Sequence, residues 1–281
     1  MMMYHIEEIK PPFAARIQLD VRQPIDQRVA AQLKADLVRH RVLVLPGQNL
    51  DHAAHVRFSR LFGPLDVYPV KRYVVPEYPE VLKISNIFED GEPIGLYDGD
   101  DQEEWHTDYS WKEVMSRASL LYSAIAPAEG GDTIFADVTT AYDDLPEETK
   151  DRIKNLRAVH SMNHLVEQEL QTNPHKKPLT QEEKDRAPDM EQPLVRVHPV
   201  TGRRSLLLGS MIISGVVGLG RKEGSALLDA LHAHATKEKY LYRHRWSVGD
   251  LVIWDNDATM HTRTPCDSKR HHRLLYRTTV M

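Results

Sequence analysis

The sequence predicts a mostly β protein, a β-sandwich or jelly roll with helices packed on its outer face. Two observations carry this. Strand-like runs dominate beyond residue 104, and helix-like periodicity is concentrated in the first quarter. A third bounds the architecture: the 281 residues, 41% hydrophobic, show no repeat and no low-complexity linker, so one domain over 1–281 is expected.

Taken in order, the N-terminal segment MMMYHIEEIKPPF has no basic region followed by an apolar run, unlike a signal peptide. It holds His5-x-Glu7, a ligand-like spacing in what reads as a frayed end. Residues 26–40 place Val29, Ala30, Leu33, Leu37 and Val38 at helical spacing, and RVLVLPG follows as a buried strand stopped by Pro-Gly. Residues 51–63 open on a capping aspartate and end at glycine, the marks of a short helix. EVLKISN (80–86) reads as a strand. Residues 88–104, FEDGEPIGLYDGDDQEE, are acidic and without period, as in a long mobile lid loop.

SRASLLYSAIAP (116–127) and GGDTIFAD (130–137) are strand-like, and PEETKDRIKNL (146–156) is a helix opened by proline and acids. Residues 163–192 are polar and proline-broken, as in a surface excursion. PLVRVHPVTGRRSLLLG reads as a hairpin turning at VTGR, and GSALLDALHAHATK as an amphipathic helix. KYLYRHRWSVGDLVIWDN and RHHRLLYRTTVM complete the strands.

Charged residues make up 27% and the formal net charge is −5, which argues against nucleic acid or a membrane surface as partner. Apolar runs such as SLLLG and DLVIW are too short to span a bilayer. The one cysteine, Cys266, excludes an internal disulfide and a cysteine-cluster metal site and suits a reducing compartment. A soluble, cytoplasmic protein is expected.

Several motifs are decoys. GLGRKEG (218–224) has the wrong glycine spacing for a dinucleotide loop, and His232 and His234 point to different faces of a helix. In EEWHTDYSW, His106 and Asp108 stand two apart. With 15 histidines in the chain, such a pair arises by chance about once. A surface hydrogen-bonded pair is the plain alternative. If the segment is extended, however, both side chains project from one face and can reach one ion.

The candidate third ligand is His261 in VIWDNDATMHTRTP, after a strongly apolar strand and a turn. Two histidines and one carboxylate on one face of an ion is the arrangement of non-heme iron(II) oxygenases, which keep open positions for cosubstrate and oxygen. In RHHRLLYRTTVM, Arg273, Leu275 and Arg277 fall on one strand face, the two arginines about 13 Å apart. Inward guanidinium groups are costly unless they meet anions such as carboxylates or sulfonates; exposure on an edge strand is the alternative.

Together these stretches resemble the taurine and 2,4-dichlorophenoxyacetate dioxygenase family of Fe(II)/2-oxoglutarate enzymes. RVLVLPGQ, FSRLFGPL, WHTD, GGDTIFAD, TAYDDLP, YRHRWSVGDLVIWDN, MH and HRLLYRTT run in the family's order from about residue 40 to the end. RHRWSVGDLVIWDN looks closer to the phenoxyacetate branch. The resemblance implies a double-stranded β-helix (jelly roll) with flanking helices. It implies iron on His106, Asp108 and His261, the distal carboxylate of 2-oxoglutarate on Thr133 and Arg273, and the substrate's acid on Arg277. One departure bears on substrate: where taurine-type enzymes carry a sulfonate-binding histidine, FGPLDVYP supplies Asp66 and Tyr68. The expected reaction uses Fe(II), 2-oxoglutarate and O2 to hydroxylate a small anionic organic substrate, most simply a phenoxyalkanoate-type carboxylic acid. An alkyl sulfonate or sulfate ester is the alternative, and a non-catalytic jelly-roll binding protein the remote one. A homo-oligomer is the expected assembly.

Overall fold

Two sheets face each other across one core. The structure, a computed structural model, describes residues 3–97, 100–172 and 177–281. The larger sheet runs, neighbour to neighbour, through His5–Lys10, Ala14–Gln18, Val42–Leu45, Leu251–Asp255, Ala118–Ile125, Leu274–Val280, Tyr78–Ser85 and Val74–Val75, with Leu96–Tyr97 also paired to Tyr78–Ser85. The smaller sheet has the Thr133–Asp137 strand between Leu241–His244 and Thr259–Arg263. The chain is mostly β with helices around it, as the sequence predicts.

Central strands such as Val42–Leu45 and Leu251–Asp255 are almost wholly apolar because both faces are covered. Side chains alternate across the sheet with period two. Leu43, Leu45, Leu120, Leu251 and Ile253 meet Leu33 and Leu37 of the Gln27–His40 helix and Phe58 of the His52–Ser59 helix. Val42, Val44, Leu121, Val252 and Trp254 face inward to Phe135 and Tyr242 of the smaller sheet. The Gln27–His40 helix starts where expected, with Asp26 accepting from the Arg28 and Val29 amides at 2.8 Å each. It ends at Arg41, whose φ of 62° closes the turn.

Four expectations change. His5-x-Glu7 is not frayed: His5–Lys10 pairs antiparallel with Ala14–Gln18. The acidic stretch holds the paired Phe88–Glu89 and Glu92–Pro93 strands plus Leu96–Tyr97, so local pairing organises much of it; residues 98–99 lie outside the described residues. The polar stretch 163–192 holds the Met162–Thr172 and Gln181–Arg186 helices and the Met190–Pro193 strand; residues 173–176 lie outside the described residues. Its polarity hid a helix that turns Met162, Leu165 and Val166 inward, of which Val166 is buried. The Arg221–Ala235 helix starts inside GLGRKEG, three residues before the expected glycine.

Candidate functional site

His261 lies midway along the Thr259–Arg263 strand, opposite Phe135. Its backbone exchanges two hydrogen bonds with His106: the His106 amide reaches the His261 carbonyl at 3.0 Å, and the return bond is 2.8 Å. That isolated bridge replaces the strand expected at WHTD. Asp108 then lies in a turn with Tyr109, whose φ is +58°. A bridge followed by a turn, rather than same-face projection from a strand, brings His106 and Asp108 together. One ligand-type atom from each of His106, Asp108 and His261 lies within 4.8 Å of the other two.

Their protonation suits a metal. His106 Nδ1 lies 2.9 Å from the Glu104 carbonyl, which can only accept, so Nδ1 carries a proton and Nε2 is the ring atom left to ligate a metal. Burial, then the neighbouring His106, push the His261 imidazole down to about 3, keeping it neutral. Burial acts to raise the Asp108 carboxyl. The Arg277 guanidinium, the two imidazoles and the Ser119 hydroxyl outweigh that and hold it at about 2. Metal–ligand bonds of about 2.0–2.2 Å put adjacent ligand atoms roughly 3 Å apart, inside the observed bound. Two imidazoles and an ionised carboxylate fit a divalent transition metal. Phe135 and Trp254 pack on the His261 ring at centroid distances of 5.9 and 4.9 Å, fixing its plane.

A cavity of about 620 Å³ opens above these donors, and Thr133, Arg273, Arg277 and Tyr68 also line it. His106, Asp108, His261, Thr133, Arg273, Arg277 and Tyr68 therefore face one space. Thr133 begins the Thr133–Asp137 strand, and its hydroxyl accepts from Trp246 Nε1 at 3.1 Å. Arg273 sits just before the Leu274–Val280 strand rather than on it. Its amide donates to Asn86 Oδ1 at 2.8 Å, and its carbonyl accepts from Ser85 Oγ at 2.9 Å. The strand's register against Ala118–Ile125 slips between Leu274 and Leu275, so the expected regular spacing of the two arginines is interrupted. The glycine pair before Thr133 has a steric reason: Gly131 has φ +65°, and a Cβ there would lie 3.1 Å from Arg273 Cδ.

Arg277 is already engaged. Its Nη1 donates to Asp108 Oδ1 at 2.6 Å, with the Asp108 side chain buried and that of Arg277 11% exposed. Burial acts against its charge, and the Asp108 carboxylate, Tyr109, Tyr68 and Glu103 together outweigh that and raise its pKa. Arg277 Nε is buried without a hydrogen-bond partner among the described residues, so a donor remains for an anion. Burial pushes the Tyr68 phenol up to about 12, keeping it a neutral hydroxyl. Asp66 instead pairs with Lys112 at 2.6 Å.

Sequence reasoning missed several walls of this cavity. Arg263 follows His261 by two residues on the same strand, and period-two projection could have found it. Its Nη2 donates to the Asp101 carbonyl at 2.8 Å, tying the acidic segment to the cavity rim. Met162 and Leu165 come from the helix hidden in the polar stretch. Trp105 and Trp111 flank the His106 motif.

The geometry defines a candidate mononuclear metal centre beside a cavity suited to anions. Comparison with known proteins gives the family. Residues 5–279 match the model of the taurine catabolism dioxygenase TauD, TfdA family. The chain is 33% identical over 284 residues to the alpha-ketoglutarate-dependent 2,4-dichlorophenoxyacetate dioxygenase of Cupriavidus pinatubonensis, covering 97% of this chain and 96% of that one. It is also 33% identical over 262 residues to the alpha-ketoglutarate-dependent sulfate ester dioxygenase of Pseudomonas putida, covering 89% and 82% respectively. The crystal structure of AAD-2 in complex with Mn(II) and N-oxalylglycine superposes with a TM-score of 0.84 at 30% identity, covering 99% of this chain and 97% of that one. The chain belongs to the TauD/TfdA dioxygenase family and is an oxidoreductase.

Proposed function

We propose that this chain is one double-stranded β-helix domain that hydroxylates a small anionic organic substrate with Fe(II), 2-oxoglutarate and O2. One oxygen atom goes to the substrate C–H bond and the other to succinate, with CO2 released. The observation that carries the reading is the meeting of His106, Asp108 and His261 on a cavity that also receives Thr133, Arg273 and Arg277.

In this reading His106, Asp108 and His261 hold the iron, which supplies the oxidising chemistry when oxygen and 2-oxoglutarate are present. Thr133 and Arg273 take the distal carboxylate of 2-oxoglutarate, a hydroxyl and a guanidinium suited to a planar anion. Arg277 takes the substrate's acidic group, with the Tyr68 hydroxyl as a further donor. The rest of the wall orients an apolar body and excludes water: Trp105, Trp111, Met162 and Leu165 are large and apolar or aromatic. That wall favours a phenoxyalkanoate-type carboxylic acid. An alkyl sulfonate or sulfate ester is the second reading, favoured by the similarity to a sulfate ester dioxygenase. Homo-oligomeric assembly and a cytoplasmic location belong to the same proposal; the buried Cys266 thiol suits the latter.

The test is substrate-dependent succinate formation with iron and 2-oxoglutarate across phenoxy acids, alkyl sulfonates and sulfate esters. Turnover of phenoxy acids above the others supports the first reading. Preference for sulfur oxyanions moves it to the second, and no turnover with any anion overturns both.

A further inference from the structure

The Leu251–Asp255 and Thr259–Arg263 strands are joined by a turn through Asn256, Asp257 and Ala258. The Asn256 side chain points back toward the candidate metal centre. Its Nδ2 donates to Ser116 Oγ at 3.0 Å and to Ser119 Oγ at 3.1 Å. Ser119 Oγ donates in turn to Asp108 Oδ2 at 2.5 Å, and Ser116 Oγ to the Asp108 carbonyl at 3.0 Å. Asn256, Ser116, Ser119 and Asp108 are all buried, none more than 4% exposed.

We infer that Asn256 is a positioning residue for the Asp108 carboxylate, acting through Ser116 and Ser119. The inference rests on Asp108 being a metal ligand, as proposed above. Direction is the core of the argument. An amide nitrogen only donates, so each serine oxygen must accept from Asn256 and turn its own proton toward Asp108. One side-chain amide thereby orients two hydroxyls, which hold one residue by its carboxylate and its backbone. Each carboxylate oxygen has two lone pairs. Oδ1 engages Arg277 and Oδ2 engages Ser119, leaving a further lone pair on each for a metal. Partners of this kind set the direction and donor strength of a ligating carboxylate.

The turn itself is clamped from outside. Arg196 Nη2 pairs with Asp257 Oδ1 at 2.5 Å, and His198 Nε2 with Asp255 Oδ2 at 2.8 Å. Ser205 Oγ donates to the Asp257 carbonyl at 2.7 Å. The Asn256 amide reaches the Arg117 carbonyl at 2.8 Å, so the backbone carrying its side chain has one position. The hairpin of Val195–Val197 and Arg204–Leu206 thus supports the metal centre from behind without touching it.

The experiment measures the dissociation constant for Mn(II), by anaerobic titration, in wild type, Asn256→Asp and Ser119→Ala, with thermal melts alongside. Asn256→Asp keeps the shape but exchanges the donor for an acceptor, drawing the serine protons away from Asp108. Both variants are expected to bind Mn(II) about 10- to 100-fold more weakly, at a temperature where each is folded. Wild-type affinity in both would overturn the inference, as would a lowered melting temperature with unchanged affinity. If Asn256→Asp does not fold, Ser119→Ala decides alone. A wild-type protein that binds no Mn(II) would instead count against the metal centre itself, which separates the two failures.

Discussion

Two clusters of three His and Asp side chains in this molecule have opposite situations. His106, Asp108 and His261 form one; His198, Asp255 and Asp257 form the other, and in both the ligand-type atoms lie within 4.8 Å. In the second cluster the polar atoms are already partnered. His198 Nδ1 accepts from the Val200 and Thr201 amides at 3.1 and 3.2 Å, so Nε2 carries the proton and donates to Asp255. Asp255 Oδ1 accepts the Asp257 amide, and Arg196 holds Asp257. In the first cluster His261 Nδ1 is buried without a hydrogen-bond partner among the described residues, and all three residues line a cavity. Proximity of such donors is thus not enough; an available lone pair and room for an ion and its substrate separate the candidate metal centre from a structural knot.

The largest effect that could break this comparison is loss of the first cluster. His261→Ala and His106→Ala are each expected to abolish turnover and stoichiometric metal binding while the fold survives, checked by metal analysis beside circular dichroism. Retained activity in either would sink the ligand assignment. Asp108→Ala is a softer test, since water or an added anion can fill a vacated carboxylate position. Next comes Arg277→Ala. Removing one partner of a desolvated ion pair costs about 2–5 kcal/mol, or roughly 30- to 4,000-fold in binding. Hydroxylation of the anionic substrate should fall by that order, while some uncoupled succinate formation persists. Because Arg277 also pairs with Asp108, metal affinity should be measured in the same variant. Arg277→Lys should recover only part, as an ammonium lacks the two-pronged contact. Undiminished hydroxylation in Arg277→Ala would remove its anion-gripping role.

The comparison also shows which parts of the molecule were legible. Strands such as Leu251–Asp255 carry short apolar runs bounded by turn residues, and local pattern is enough to find them. That the candidate donors His106, Asp108 and His261 and the basic pair Arg273 and Arg277 belong together was legible from residue types whose chemistry is costly to bury without a partner, and all five line one cavity. Local pattern could not show that Asp108 sits in a turn, because the His106 bridge depends on His261, remote in sequence. Nor could it show that Arg277 meets Asp108, or that Asn256 reaches two serines more than a hundred residues away. The Met162–Thr172 helix was hidden because its few inward apolar residues, half-buried Met162 and Leu165 and buried Val166, are diluted by polar ones.

A smaller effect is expected at Arg273. A hydrogen bond to a charged partner contributes about 1.5–3 kcal/mol, so Arg273→Ala should raise the 2-oxoglutarate concentration needed for half-maximal turnover by roughly 10- to 150-fold. Saturating 2-oxoglutarate should restore much of the rate, since the iron ligands and Arg277 remain. An unchanged 2-oxoglutarate dependence would leave Thr133 and Arg273 without their assigned anion.

The smallest effect on metal binding belongs to the second cluster, and it is the sharpest test of the contrast. His198→Ala removes the bond to Asp255 and leaves the Val200 and Thr201 amides without their acceptor. A buried polar group left unpaired costs about 1–3 kcal/mol, so a lower denaturation midpoint is expected. Metal stoichiometry should stay at that of wild type, because no ion depends on His198. Any loss of metal affinity should be smaller than that of Asn256→Asp, because the turn keeps its Arg196, Ser205 and Arg117 contacts. Metal analysis of wild type, His198→Ala and His261→Ala in parallel reads this directly. If His198→Ala lost one metal equivalent while His261→Ala kept that equivalent, the second cluster would be a metal site in its own right, and partnered lone pairs would not be what divides the two.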